Sequence, residues 1–274
     1  SWHYHRQGKR ASAGKRGRNR NICFVPAVFR ACFPPAAKTF RRVEEGFFPI
    51  GLRSLPGRGT LGLAALTRRE ARGTLLRHIM ISFTNISGAE EIGANCYLLE
   101  MDGTRIVLDS GMHPKKEGKA AIPDFDSLEP NSVEAVFLSH SHMDHLGTLP
   151  VLQEKQPAAE VFMTPAAAAL SEVMLHNSVN VMSAKRLDLG IVEYPFFTHN
   201  DLDRLSDAWH AKSCNEVFRV GFRQNVLATF YDAGHILGSA GVMLEGESGH
   251  TVFYTGDVQF EDQSMIPGAD FPES

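Results

Sequence analysis

Cysteine is scarce in this chain. The four present among 274 residues, Cys23, Cys32, Cys96 and Cys214, form no CxxC pair and no tight spacing, which sets aside both a disulfide framework and a thiolate zinc site. A reducing compartment suits such a pattern, and the cytoplasm is the expected location. No apolar run approaches the roughly 20 residues that a membrane-crossing helix needs, so no membrane role is expected. No segment has the basic start, apolar middle and small-residue cleavage site of a secretory signal. Methionine is absent before position 80, although nine follow from there on. Acidic residues are almost absent from the same stretch: residues 1–79 hold 17 Lys and Arg against three Asp and Glu, a net of +14. Residues 80–274 hold the other 11 against 28, a net of −17, and the two balance to −3.

Two kinds of polypeptide are therefore joined in one chain. Residues 1–79, rich in Arg, Gly and Pro, show no sustained periodicity beyond a weak helical stretch near 61–72. They read as a disordered basic leader, translated from upstream of a natural start at Met80. Two functional readings of this leader stay open: an organelle transit peptide, or a basic arm that holds nucleic acid electrostatically.

From Met80 onward short strands alternate with turns and a few helices. Strands are predicted at 81–86, 96–101 and 104–108, the last two joined by the hairpin pair Asp102-Gly103. Further strands are predicted at 133–139, 161–164, 226–231, 241–244 and 251–254. Helices are predicted at 146–155, interrupted by Pro150, at 166–182 behind Pro165, and from a Thr198 cap to about Trp209. Strand meanders with helices on their outer faces imply an α/β sandwich in residues 80–274, with no internal repeat.

The chemistry is concentrated at strand ends. Ser139-His140-Ser141-His142-Met143-Asp144-His145 follows the apolar run at 133–138 and puts four metal-ligating side chains within six positions. His and Asp together suit borderline divalent metals such as zinc. His235 lies just past the strand at 226–231, and Asp257 just past the one at 251–254. In the scheme these suggest, His140, His142 and His235 hold one cation. Asp144, His145 and a bridging Asp257 hold a second, and Asp109 orients ligands through hydrogen bonds. Such a pair of cations can activate a hydroxide and stabilise charge on a phosphoryl or carbonyl oxygen. His113 follows the Asp109 turn and is a weaker candidate. His176, His199, His210 and His250 read as surface or structural residues without partners at ligand spacing.

These motifs resemble the metallo-β-lactamase superfamily, whose signature is HxHxDH followed by a separate His and an Asp. The resemblance extends to its β-CASP branch through Gly93-Ala94-Asn95-Cys96-Tyr97-Leu98-Leu99-Glu100, Leu108-Asp109-Ser110-Gly111-Met112-His113-Pro114, Ala233-Gly234-His235-Ile236-Leu237-Gly238-Ser239-Ala240 and Tyr254-Thr255-Gly256-Asp257. It covers residues 80–262. It implies an αββα sandwich, incomplete here because the chain stops before a cap domain, and a hydrolase with two divalent ions, zinc expected, that cleaves phosphodiester bonds of single-stranded RNA with a metal-bound hydroxide. Asp109 would be the first-motif acid, Asp144 a catalytic ligand, and His140, His142, His145, His235 and Asp257 the other ligands. The branch includes the 3′-end-processing endonuclease of the cleavage and polyadenylation machinery, so a homodimer or an RNA-processing complex is an expected setting. In that branch a cap domain and further His residues follow the fourth motif, whereas this sequence stops at Ser274; it is expected to be the front part of a longer protein. The alternatives are a small thioester or lactone hydrolase of the same fold and a non-catalytic subunit of an RNA-processing complex.

Overall fold

A computed structural model describes residues 22–25, 81–87 and 93–272. Two mixed sheets pack face to face. One has the order β2 (Ser82–Asn85), β3 (Tyr97–Met101), β4 (Thr104–Leu108), β5 (Ala135–Phe137), β6 (Glu160–Met163), β7 (Trp209–Ala211). The other runs β1 (Ile22–Val25), β11 (Thr251–Tyr254), β10 (Ala240–Gly246), β9 (Val226–Asp232), β8 (Val217–Val220). Helices α1 (Met143–Leu146), α2 (Leu149–Lys155), α3 (Pro165–Leu189) and α4 (His199–Ser206) complete the order.

Alternation along the strands divides the core in two. Leu99, Ile106, Leu108, Phe137, Phe230, Val242, Val252 and Tyr254 face one another between the sheets. Leu98, Val107, Val136 and Leu138 point the other way, against Leu146, Leu149, Leu152, Leu175 and Val179 of the helices. Phe253, on the outer face of the second sheet, packs on Phe271 with ring centroids 4.8 Å apart. Among the described residues the layers are thus helix, sheet, sheet, with residues 257–272 lying on the outside; the expected second helical layer is not among them.

Local signals account for most element ends. Asp102 and Gly103 both adopt positive φ, 51° and 80°, as a two-residue hairpin turn between β3 and β4 requires. Thr164 caps α3 by accepting from the Ala167 N–H, Pro165 opens it, and Gly190 ends it at φ 69°. Thr198 and Asp201 form a reciprocal capping box on α4.

Three expectations need correction. Pro150 does not interrupt a helix: Gly147 and Thr148 separate α1 from α2, and Pro150 sits in the first turn of α2, where a missing N–H costs nothing. The helix capped by Thr198 ends at Ser206, and Trp209 belongs to an edge strand parallel to β6. Within the leader, Ile22–Val25 forms a strand parallel to β11, so these four residues do not stand outside the fold. The rest of the leader, Met80 included, lies outside the described residues.

The topology sets up one active edge. β4 and β5 run parallel, and β9 and β11 run in one direction because each is antiparallel to β10. Asp109, the loop through His140, His235 and Asp257 leave the C-terminal ends of these four strands.

Candidate metal centre

Burial and charge first fix the ring nitrogens. Asp109 is fully buried in the left-handed region, φ 60°, and collects four hydrogen bonds. Its Oδ1 accepts from the Ser139 N–H at 2.7 Å. Its Oδ2 accepts from Ser139 Oγ at 2.7 Å, from Tyr254 Oη at 2.5 Å and from His145 Nδ1 at 2.6 Å. Because the Ser139 hydroxyl proton goes to Asp109, its oxygen accepts from His140 Nδ1 at 3.0 Å. Both His140 and His145 thereby keep a proton on Nδ1 and turn Nε2 toward the same space, the tautomer that a metal ligand needs.

Four donor atoms then meet. One atom each from His140, His142, His235 and Asp257 lies within 4.8 Å of every other. His140 Nε2 and His235 Nε2 stand 3.1 and 3.2 Å from His142 Nδ1. A tetrahedral cation with bonds of about 2.0–2.1 Å has ligand–ligand edges of about 3.3 Å, so the spacing fits a small divalent ion. The Asp257 carboxylate is shared, with Oδ2 3.5 Å from His235 Nε2 and Oδ1 3.5 Å from His145 Nε2. Asp144 Oδ2 reaches within 4.0 Å of the same His145 nitrogen. Asp257 therefore belongs to one four-donor group with His140, His142 and His235, and His145 and Asp144 stand next to that group.

Protonation differs from ring to ring. Burial, with His145 next in effect, pushes His140 down to about 2, so its imidazole is neutral. Burial likewise lowers His235 against the pull of Asp257. Burial is the largest single influence on His145 and acts to lower it, but the Asp109 and Asp257 carboxylates together outweigh it and lift the group to about 10. The hydrogen bond with His145 holds Asp257 down at about 2.

Close backbone packing keeps the loops in place. A Cβ on Gly111 would lie 1.7 Å from the Asp144 carbonyl oxygen, so only glycine lets the first-motif loop pass beneath the metal loop. Asn95 clamps the same carbonyl with its backbone N–H at 2.7 Å and its side-chain amide at 3.2 Å. That amide also lies 2.9 Å from His145 Nε2.

Asn95, Ser139 and Tyr254 were given no role by the sequence reading. Asn95 and Tyr254 sit within recognised motifs and Ser139 opens a third, but nothing in spacing alone aims their side chains. His113 is buried yet stands apart from the ligand group, with Nδ1 accepting from the Lys115 N–H at 3.1 Å. His176 and His199, expected to be surface or structural residues, pair Nδ1 to Nδ1 at 2.7 Å between α3 and α4. His210 lies 3.9 Å from Glu160, and His250 bonds Ser248.

Two mixed sheets with convergent His and Asp at their strand ends define a metal-dependent hydrolase architecture. Residues 89–269 match the metallo-beta-lactamase superfamily, and the chain belongs to it. Its curated relatives include the cleavage and polyadenylation specificity factor subunit 3-I of Arabidopsis thaliana, 31% identical over 69% of this chain and 26% of that protein. Endoribonuclease ysh-1 of Neurospora crassa is 29% identical over 70% of this chain and 22% of that protein. The chain thus spans about a quarter of the length of these relatives, and the resemblance to the β-CASP branch holds across that span. Among solved structures, a variant of the metallo-beta-lactamase from Cronobacter sakazakii aligns at 16% identity and a TM-score of 0.40, covering 64% of this chain and 60% of that one.

Proposed function

We propose that the chain carries the metal-binding part of an endoribonuclease that hydrolyses phosphodiester bonds of single-stranded RNA. The observation that supports this best is the convergence of His140, His142, His235 and Asp257 beside Asp144 and His145, in a chain whose curated relatives are named endoribonucleases. His140, His142 and His235 would hold one divalent cation, and Asp144, His145 and Asp257 a second, with zinc suited to both donor sets. Such cations supply Lewis acidity toward a phosphoryl oxygen and make a water more acidic.

The protein's own part is orientation and proton placement. Asp109 and Ser139 hold His145 and His140 with Nε2 forward, and the Asp257 carboxylate, 3.5 Å from both His235 and His145, would serve both donor sets. Asp144, about one-third exposed at its side chain, is the ligand best placed to meet the substrate side of the centre. An RNA-processing complex, as a homodimer or with other subunits, and a cytoplasmic site of action belong to the same proposal. No helix among the described residues is long and apolar enough to cross a membrane.

One observation favours the alternative of a small thioester or lactone substrate: the net −17 of residues 80–274, since phosphate binding draws on Lys and Arg. A single comparison decides. Zinc content and cleavage of a single-stranded RNA are measured in the full chain and in His142→Ala. Loss of both in the variant supports the proposal. RNA cleavage that survives His142→Ala, or thioester hydrolysis with RNA untouched, overturns it.

A further inference from the structure

Beside the metal loop lies a cavity of about 180 Å³ that the reading above does not use. Four of the nine methionines, Met112, Met143, Met174 and Met182, line it. Met143 stands between His142 and Asp144 in the metal loop itself. The Met112 N–H donates to the Met143 carbonyl at 2.8 Å, and a Cβ on Gly147 would press against both side chains, at 2.6 and 2.9 Å. One wall of the cavity is therefore the metal loop. α3 forms the opposite wall. Tyr194 closes a third, buried and held by its hydroxyl donating to Glu117 at 2.7 Å.

Charge singles out the same place. Residues 80–274 contain only 11 Lys and Arg, yet Lys115, Lys116, Lys119, Lys185 and Arg186 fall in the two short segments that flank this cavity. Lys116 and Lys185 line it, and Glu117, the one acid lining it, is bound by Lys185 at 2.6 Å. A local excess of cations in an otherwise acidic domain attracts a phosphate. Thioether walls suit a flat ring of variable identity, because Met adapts its shape and its sulfur packs well against aromatic faces. The volume is below the roughly 300–1,000 Å³ of pockets that enclose whole drug-sized ligands, and so matches one ring system.

We propose that this cavity is a nucleobase subsite, which takes the base of a nucleotide flanking the scissile bond while Lys116 and Lys185 face its phosphate. The proposal rests on RNA being the substrate. It also says how an acidic domain engages RNA: through one anchored nucleotide beside the cations rather than along a basic groove. Base contacts of this kind tolerate all four bases, since each offers a π-face.

The test uses the full chain with ¹³C-methyl methionine, freed of metal by a chelator, so that binding is read apart from catalysis. Adenosine 5′-monophosphate should shift the methyl signals of the four lining methionines and leave Met101, Met163 and Met243 in place. Ribose 5-phosphate, which lacks the base, should bind about tenfold more weakly. Val181→Glu, at a lining position 45% exposed and therefore safe for folding, and Lys116→Glu should each weaken the nucleotide about tenfold, while the zinc content of each variant before chelation equals that of the parent chain. Equal binding of the two phosphates, shifts spread over all the methionines, or full affinity in both variants would overturn the subsite. Absence of nucleotide shifts in a chain that still cleaves RNA would remove the subsite alone. Shifts confined to the four methionines in a chain that never cleaves RNA would support it and count against the nuclease reading.

Discussion

At the scale of single residues the proposed centre depends on one carboxylate that lies outside the four-donor group. Asp109 takes four donors, and in Asp109→Asn an amide N–H would face the Ser139 and Tyr254 hydroxyls or the His145 N–H. The expected cost is about 3 kcal/mol of stability in the metal-free chain, read by denaturant unfolding, with zinc affinity down about 10–100-fold. Tyr254→Phe removes one donor only and should cost about 1 kcal/mol. The raised His145 gives these contacts a pH signature. Its folded value near 10 lies above the ordinary 6.5, so its ion pair with Asp109 stabilises the metal-free fold fully below pH 6.5. That contribution fades as the pH rises through about 10. A metal must displace the same proton, so zinc affinity should fall about tenfold for each pH unit of acidification between pH 9 and 7, with one proton released per chain. Calorimetry in buffers of different ionisation enthalpy measures that proton, and a release of zero would remove His145 from the ligand set.

Secondary-structure elements show what a one-dimensional pattern can and cannot carry. The β3–β4 hairpin was legible because Asp102-Gly103 is a purely local signal, and the start of α3 because Pro165 opens it, whereas its last seven residues, up to Leu189, were missed. The His140–His145 loop was legible because four ligands share one short segment. Trp209–Ala211 was not: it is a three-residue edge strand whose pairing with β6 is tertiary, and continuing the α4 periodicity through it was the better local guess. The same limit hid Asn95 and Ser139, whose partners lie 49 and 30 residues away. Where a signal is local, its removal should have a local effect. Thr198→Ala breaks the α4 capping box and should cost about 1 kcal/mol. Thermal unfolding would show it, while zinc affinity should stay unchanged because α4 contributes no ligand.

Over the whole molecule, charge decides how RNA can be held. A nucleic-acid surface built from many phosphate contacts loses affinity steeply with salt, by a slope of about −0.7 per contact on single strands. Residues 80–274, with 28 acids against 11 bases, offer few such contacts away from the lysine-flanked cavity. Under the proposed function, RNA affinity then comes from the cations held at the strand ends and from a small number of local contacts. The expected slope of log affinity against log salt is therefore shallow, about −2 or less in magnitude, and chelation should weaken binding of a short single-stranded RNA by about an order of magnitude. Fluorescence anisotropy across a salt series, with and without chelator, measures both quantities. A steep slope that chelation leaves unchanged would place the binding energy on a basic surface such as residues 1–79, whose +14 charge is the only large cationic reserve in the chain. Deleting residues 1–20, which removes seven of the 17 cations in that stretch and leaves β1 in place, separates the two sources: under the metal-centred account the shallow slope persists.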